Sequence, residues 1–427
     1  MTSSSCCLLL TLLIGIVLGT AANSVAQTKE ETCVTCHLAL GVEKLTKPAE
    51  LYKDDVHAGK GFGCVACHGG DDTIMGMEAM DRKKGYIGKP SGVQVIEVCG
   101  KCHSDATFMR KYNPSLRVDQ VAEYYTSVHG KRLKEFKDPK VATCVSCHAP
   151  HQIRPPSDAR SSVHPLHVAD TCGSCHANKG YMAPYKIPTD QVENYKKSVH
   201  WKMMTVKGDL SAPTCNDCHG NHGASPPGVS SVANVCGQCH VTNAELFSKS
   251  EHSKIFAQMG TPGCATCHSN HAIVETSDAM LSGDKSVCAT CHPPTSTGGL
   301  LAASMFGSIG RLKLGYERAL TVLTQAEHAG MEVSQPLFEL NDAKTALIKS
   351  RAAIHGFDKA VVNKEIDPGL KITNVAYEKG LKALDELQYR RKGLAVSAII
   401  ILGLVIGLIL KIRQMERKPN RSNGNHQ

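Results

Sequence analysis

The stretch TCNDCHGNH, Thr214–His222, sets two cysteines three positions apart, a histidine directly after the second, and another histidine three residues later. Near-copies stand at TCVSCHAPH, Thr143–His151, and GCATCHSNH, Gly263–His271. The shorter core, C-x-x-C-H, is written nine times: Cys33-Cys36-His37, Cys64-Cys67-His68, Cys99-Cys102-His103, Cys144-Cys147-His148, Cys172-Cys175-His176, Cys215-Cys218-His219, Cys236-Cys239-His240, Cys264-Cys267-His268 and Cys288-Cys291-His292. Together these use 18 of the 20 cysteines, leaving Cys6 and Cys7 inside an apolar leader.

C-x-x-C-H is the attachment signal of c-type haem. Two thiols at this spacing reach the two vinyl groups on one edge of the macrocycle, and the adjoining histidine falls beneath the iron as the proximal ligand. The competing readings fit less well. Zinc ribbons pair two Cys-x-x-Cys sites per metal and need no histidine at a fixed next position. A redox-active dithiol occurs once rather than nine times, and a disulfide framework gives no reason for the histidines. Nine haems are therefore expected between Cys33 and His292. Aromatic residues make up only 5% of the chain, with a single Trp, so porphyrins rather than side chains are expected to form the core of this region.

The chain holds 21 histidines. Nine close motifs, His426 lies in the tail, and His328 and His355 lie in a later helical region. Nine remain as candidate distal ligands: His57, His129, His151, His164, His167, His200, His222, His252 and His271. His151, His222 and His271 are the residues three positions beyond a motif. None can turn back beneath its own haem, because its neighbour is pinned there, so each is expected to serve a haem packed alongside. His164 and His167, in SSVHPLHVAD, are open to exchange with His355, in RAAIHGFD. Asp71 stands where the second two-cysteine motif would have its following histidine.

The motif region is repetitive. Aligning ELYKDDVH, EYYTSVH, ENYKKSVH and ELFSKSEH on His57, His129, His200 and His252 puts an aromatic five residues earlier: Tyr52, Tyr124, Tyr195 and Phe247. Two residues before each histidine stands a residue of the helix-capping type: Asp55, Ser127, Ser198 and Ser250. The body thus reads as four two-motif units preceded by one lone motif.

Five segments follow from composition. Residues 1–26 read as a signal peptide, with an apolar run Leu8–Gly19 and the small-x-small site Ser24-Val25-Ala26; no basic residue precedes the run, so an uncleaved anchor stays open. Residues 27–296 carry all nine motifs. Residues 297–392 lack cysteine and read as a helical stalk: a helix over Leu300–Glu327, a break at Ala329-Gly330, a helix capped by Ser334, punctuation at Asp367-Pro368-Gly369, and a last helix over Lys371–Lys392. Residues 393–410 are uncharged and read as one transmembrane helix. Residues 411–427 form a basic tail, which the positive-inside rule assigns to the cytoplasm. The net charge of +9 owes much to this tail, so it is not read as a nucleic-acid signal. The expected fold class is mainly α with extensive irregular loops around the haems, followed by a helical bundle and one membrane helix.

The recurrent SVH…CxxCHxxH…CxxCH pattern over Cys33–His292 resembles the bacterial multihaem cytochrome c superfamily, which includes tetrahaem cytochromes of the c-554 type, pentahaem nitrite reductases and octahaem hydroxylamine-oxidoreductase-like proteins. The helices holding RAAIHGFD are similar to the C-terminal helical part of those proteins. The resemblance implies closely spaced haems forming a wire on the periplasmic side of the inner membrane in an anaerobically respiring bacterium. The C-terminal anchor suits exchange with a membrane quinol-oxidising subunit and with periplasmic redox proteins. No catalytic residue is singled out: all nine motifs end in histidine, whereas the nitrite-reductase type carries one C-x-x-C-K. An electron carrier is favoured, the alternative being an oxidoreductase that acts on a small nitrogen or sulfur compound at one five-coordinate haem. A pyridine haemochrome assay set against protein concentration should return nine haems per chain; four or five would mean that half the motifs stay unloaded.

Overall fold

Capping chemistry starts many of the helices. In the computed structural model, which describes residues 31–226 and 228–417, the hydroxyls of Ser127, Ser198 and Ser250 accept the backbone N–H of Gly130, Trp201 and Ser253 and begin the helices Val128–Phe136, Val199–Val206 and Glu251–Met259. A side-chain oxygen at this position satisfies one of the orphan donors of the first turn. The repeated histidines His129, His200 and His252 therefore sit at the second helical residue, oriented by the cap. Thr143 and Thr214 form capping boxes that begin the short helices Cys144–Cys147 and Cys215–His219. Among the described residues the regular structure is entirely helical. The signal peptide read over residues 1–26 and the tail beyond Arg417 lie outside the described residues.

The chain divides into two compact units. One comprises residues up to Val192 together with Gly208–Pro227 and carries the first six motifs. The other comprises Glu193–Lys207 and Gly228 onward and carries the last three motifs with the C-terminal helices. The first unit is built of short helices and turns, and its buried apolar side chains are few, among them Val95, Ile96, Met109, Leu133 and Ala169. Such a spare side-chain core suits a region whose interior is meant for cofactors.

The second unit owns a conventional core. The helices Thr297–His328, Ser334–Ala353 and Lys359–Glu416 pack together. Met305, Ile309, Leu312, Val362 and Ile366 form one buried cluster, and Ala319, Leu323, Ala326, Leu340 and Ala343 another. Gly330, at φ +82°, ends the connection after the first of these helices, where the sequence placed the break. The second begins at Ser334 itself, one residue earlier than its reading as a cap implies; the Glu332 carboxylate takes the Ser334 backbone N–H at 3.0 Å.

The third helix departs from expectation. It runs without interruption from Lys359, through Pro368, to Glu416. Asp358 caps it by accepting the Ala360 N–H at 2.8 Å. Asp367-Pro368-Gly369 reads as punctuation because Pro removes a helical donor. Here packing outweighs that loss: a Cβ on Gly369 would stand 2.9 Å from Ala346 Cβ and 2.9 Å from Leu312 Cδ1, so the glycine permits close helix–helix contact rather than a turn. Beyond the bundle, the side chains from Leu394 to Ile412 stand exposed, and this part of the helix is long and apolar enough to cross a membrane.

Leu312 is fully buried, and its replacement by Ala should destabilise the bundle by about 2–5 kcal/mol. Urea unfolding followed by far-ultraviolet circular dichroism should show the midpoint falling, with the haem absorbance of the folded protein unchanged.

Candidate haem sites

At least seven motif histidines among the described residues face a second imidazole from a distant part of the chain. His103 faces His57 with ring centres 6.0 Å apart, His68 faces His151 at 5.9 Å, and His148 faces His222 at 6.3 Å. His176 faces His129 at 6.1 Å, His240 faces His200 at 6.4 Å, His292 faces His252 at 5.9 Å, and His268 faces His355 at 6.1 Å. Two imidazoles on opposite sides of one metal ion, each nitrogen about 2 Å from it and each ring centre about 1.1 Å further, lie about 6.2 Å apart. The spacing matches across all seven pairs. Among the described residues, no group of three or more His, Cys, Asp or Glu side chains converges as a bare metal ion would need. The donor sets fit haem: two thiols and a proximal histidine from each motif, and a second histidine opposite.

The order of the pairs follows a rule. A histidine at the start of a capped segment passes over the motif that follows it and faces the histidine of the next one: His57 with His103, His129 with His176, His200 with His240, His252 with His292. A histidine three residues beyond a motif reaches back two motifs: His151 to His68, His222 to His148. The two classes are tied together. Val56 N–H donates to Ile153 O at 2.8 Å, Ile153 N–H donates to Asp55 Oδ2 at 2.8 Å, and Val199 N–H donates to Ile273 O at 2.8 Å. His151 holds a left-handed φ of +67°, a backbone state in which non-glycine residues are uncommon and which recurs at functional positions.

The outer ring nitrogens are also engaged. His57 Nδ1 lies 2.9 Å from Asp55 Oδ1, His68 Nδ1 lies 2.7 Å from Gly88 O, and His355 Nδ1 lies 2.9 Å from Ala352 O. A ligating histidine that donates its other N–H to a carboxylate or carbonyl is fixed in tautomer and made more basic. Burial holds His103, His129, His148, His151, His176, His200, His222, His252 and His268 below the ordinary histidine range, favouring the neutral form that binds metal. The aromatic five residues ahead braces the loop entering the next motif: Tyr124 OH donates to Ala142 O at 2.8 Å, Tyr52 OH donates to Phe62 O, and the Phe247 ring packs on Gly263.

Within each unit, consecutive motifs lie side by side. The side chain of Cys99 lies beside that of Cys144, Cys172 beside Cys215, and Cys236 beside Cys264. Helix Val93–His103 packs against Cys144–Cys147, and Pro165–His176 against Cys215–His219. These contacts join the last motif of one sequence repeat to the first of the next.

His164 and His167 are placed differently. His164 is buried and His167 exposed, with rings 6.0 Å apart. His164 Nδ1 accepts the Leu166 N–H at 3.3 Å and His167 Nε2 donates to Ala159 O at 2.8 Å. Neither ring stands opposite a motif histidine, whereas His355, from the helical region, does. The His271 backbone N–H donates to the Asn270 side-chain oxygen at 2.8 Å. His219 ends the helix Cys215–His219. Asp71, in place of a following histidine, binds Lys84 Nζ at 3.0 Å. His37 lies two residues before the end of the helix Thr32–Ala39, and its carbonyl accepts the Thr46 hydroxyl at 3.1 Å. The reach rule and the Val–Ile ties were not read from sequence, although Ile153 and Ile273 each stand two residues after a following histidine.

Residues 208–293, which hold four of the motifs, match the family model for cytochrome c3. No curated protein and no solved structure matches the chain. Replacing His355 with Ala should convert one low-spin haem to high spin in the electron paramagnetic resonance spectrum of the oxidised protein, whereas Ala at His167 should leave the low-spin signals intact.

Proposed function

We propose that this multihaem c-type cytochrome is an electron carrier anchored to the periplasmic side of the inner membrane, loaded with nine haems and passing electrons between a membrane quinol-oxidising subunit and periplasmic redox proteins. The observation that carries the reading is the set of seven imidazole pairs. An iron held between two imidazoles has both axial positions filled by protein, which suits reversible one-electron exchange and leaves no room for a substrate.

The chain's own residues do the tuning. Asp55, Gly88 and Ala352 hold His57, His68 and His355 in one tautomer. Asp55 carries negative charge beside His57: burial opposes its ionisation, but the hydrogen bonds from His57 and Ile153 outweigh it and keep the carboxyl below the usual range. Such a carboxylate favours the oxidised state of the site that His57 serves. The side-by-side motifs keep successive sites close within each unit.

The exposed apolar helix supports the anchor, and the basic residues Arg390, Arg391 and Lys392 before it, with Lys411, Arg413 and Arg417 after it, mark its two ends. The expression of a secretion signal in residues 1–26 would put the motif region where covalent haem attachment takes place. Full-length protein in liposomes with a quinol and a quinol-oxidising membrane fraction should show haem reduction that is lost when the chain is truncated after Lys392. Reduction that is indifferent to the truncation, or no reduction at all by quinol-fed membranes, would remove the membrane partner from the proposal.

A further inference from the structure

In the first unit, the helix Val128–Phe136 and two stretches that lean on it form an exposed basic patch. Arg132 Nε donates to Asp138 Oδ2 at 3.0 Å, Tyr185 OH donates to the same oxygen at 3.0 Å, and Tyr181 OH donates to Lys140 O. The Arg132 guanidinium lies 4.8 Å from the Tyr185 ring centre and 5.6 Å from that of Phe136. These contacts gather lysines from three segments: Lys131 and Lys134 on the helix, Lys137 and Lys140 after it, and Lys179 and Lys186 flanking the two tyrosines. All six are exposed. Asp138 is held by Arg132, whereas Glu135 is the carboxylate of the helix itself and stands in solvent. Amid this charge, Val128 and Phe136 are each 68% exposed.

The backbone marks the lysines as kept for their charge. Ten residues after each of the capping serines Ser127, Ser198 and Ser250, the chain turns left-handed. Two repeats place glycine there, Gly208 at φ +73° and Gly260 at φ +65°, but this one places Lys137 at φ +53°. Glycine takes that state freely and is the usual residue just past a helix end, whereas a lysine is strained in it. Lys186, at φ +55°, ends the helical turn Ala183–Tyr185 in the same way. What both positions gain over glycine is an ammonium group on one surface. The patch also brackets the fifth motif: His129, at the second residue of the helix, faces His176 with ring centres 6.1 Å apart, and Lys179 follows His176 by three residues.

From this arrangement we infer that the patch is the docking surface for a soluble redox protein whose own docking face is rich in carboxylates. The inference rests on the electron-carrier reading, and it names the surface used and the charge of the partner. Clustered ammonium groups steer an acidic protein during encounter, the exposed ring of Phe136 supplies an apolar contact, and electron-transfer encounters need little more area than such a patch offers. A lipid surface would also take the lysines, but it gives no reason for them to bracket a redox site.

The experiment uses the full-length holoprotein in non-ionic detergent, reduced with dithionite and freed of excess reductant. It is mixed by stopped flow with plastocyanin, an acidic copper protein, or with azurin, whose docking face is apolar. The plastocyanin rate should fall steeply with added salt. In the Lys137→Glu, Lys140→Glu, Lys186→Glu triple variant it should fall about tenfold at low salt, with the azurin rate and haem content unchanged. Lys137→Gly, which restores the residue of the other two repeats, should be no less stable to heat and still slow plastocyanin about twofold. Equal plastocyanin rates for the triple variant and the unaltered protein overturn the inference. An equal loss on changing Lys207, Lys249 and Lys285 to Glu also overturns it, because net charge alone would then account for the effect. Acetylation of the lysines, read by mass spectrometry, supplies the last arm. Protection of Lys137 and Lys186 by plastocyanin supports the docking surface; protection on reconstitution into phosphatidylglycerol vesicles, but not phosphatidylcholine ones, assigns the patch to lipid and overturns it. Azurin reads electron transfer by itself, so the carrier reading can hold while the docking surface fails, and oxidation by neither protein overturns both.

Discussion

The facing of motif histidines by imidazoles from distant segments is the constraint on which the motif region depends. Each pair joins a motif to a histidine one or more motifs away, so a haem bound between the two rings would act as a cross-link between segments that have little apolar surface to offer one another. Cross-links that close long loops restrict the unfolded chain most, and here the closures overlap: His57 to His103 spans the second motif, while His68 to His151 spans the third and fourth. The sparse side-chain core of the first unit follows. Burial that would come from Leu, Ile and Phe in an ordinary domain is left to the macrocycles, and the polypeptide is reduced to caps, turns and short helices that aim ligands.

The same logic explains the residues that accompany each ligand. Ser127, Ser198 and Ser250 fix a helix start and thereby the direction of the histidine two positions on. Asp55 takes that place in the first repeat but works differently: it grips the ring of His57 and the backbone of Ile153 instead of opening a regular helix. One sequence position thus supplies geometry in the last three repeats and both geometry and charge in the first.

Much of this was legible in the residues themselves. The C-x-x-C-H spacing carries its chemistry wherever it appears, the repeated aromatic and capping residues mark which histidines are held, and the change in composition after residue 296 marks the helices. What was not legible depends on packing. Which histidine faces which motif is a matter of three-dimensional order, so equal counts of spare histidines and motifs suggested a one-to-one match that includes His164 and His167, while His355 stands opposite His268. Likewise Asp367-Pro368-Gly369 has the composition of a break, yet Gly369 serves a close contact with Leu312 and Ala346 that no local pattern records.

The uninterrupted helix Lys359–Glu416 has a mechanical consequence. Its early turns are locked in the bundle through Val362, Ile366 and Ala376, and its later turns are bare and apolar from Leu394 onward. At 1.5 Å per residue, about 27 Å of rigid rod separates Ala376 from the first exposed leucine. With the apolar part in a bilayer, that rod works as a ruler. It sets the height of the bundle, and of His355 opposite His268, above the lipid surface, and any tilt of the membrane segment is carried into the bundle as a rotation instead of being absorbed at a hinge.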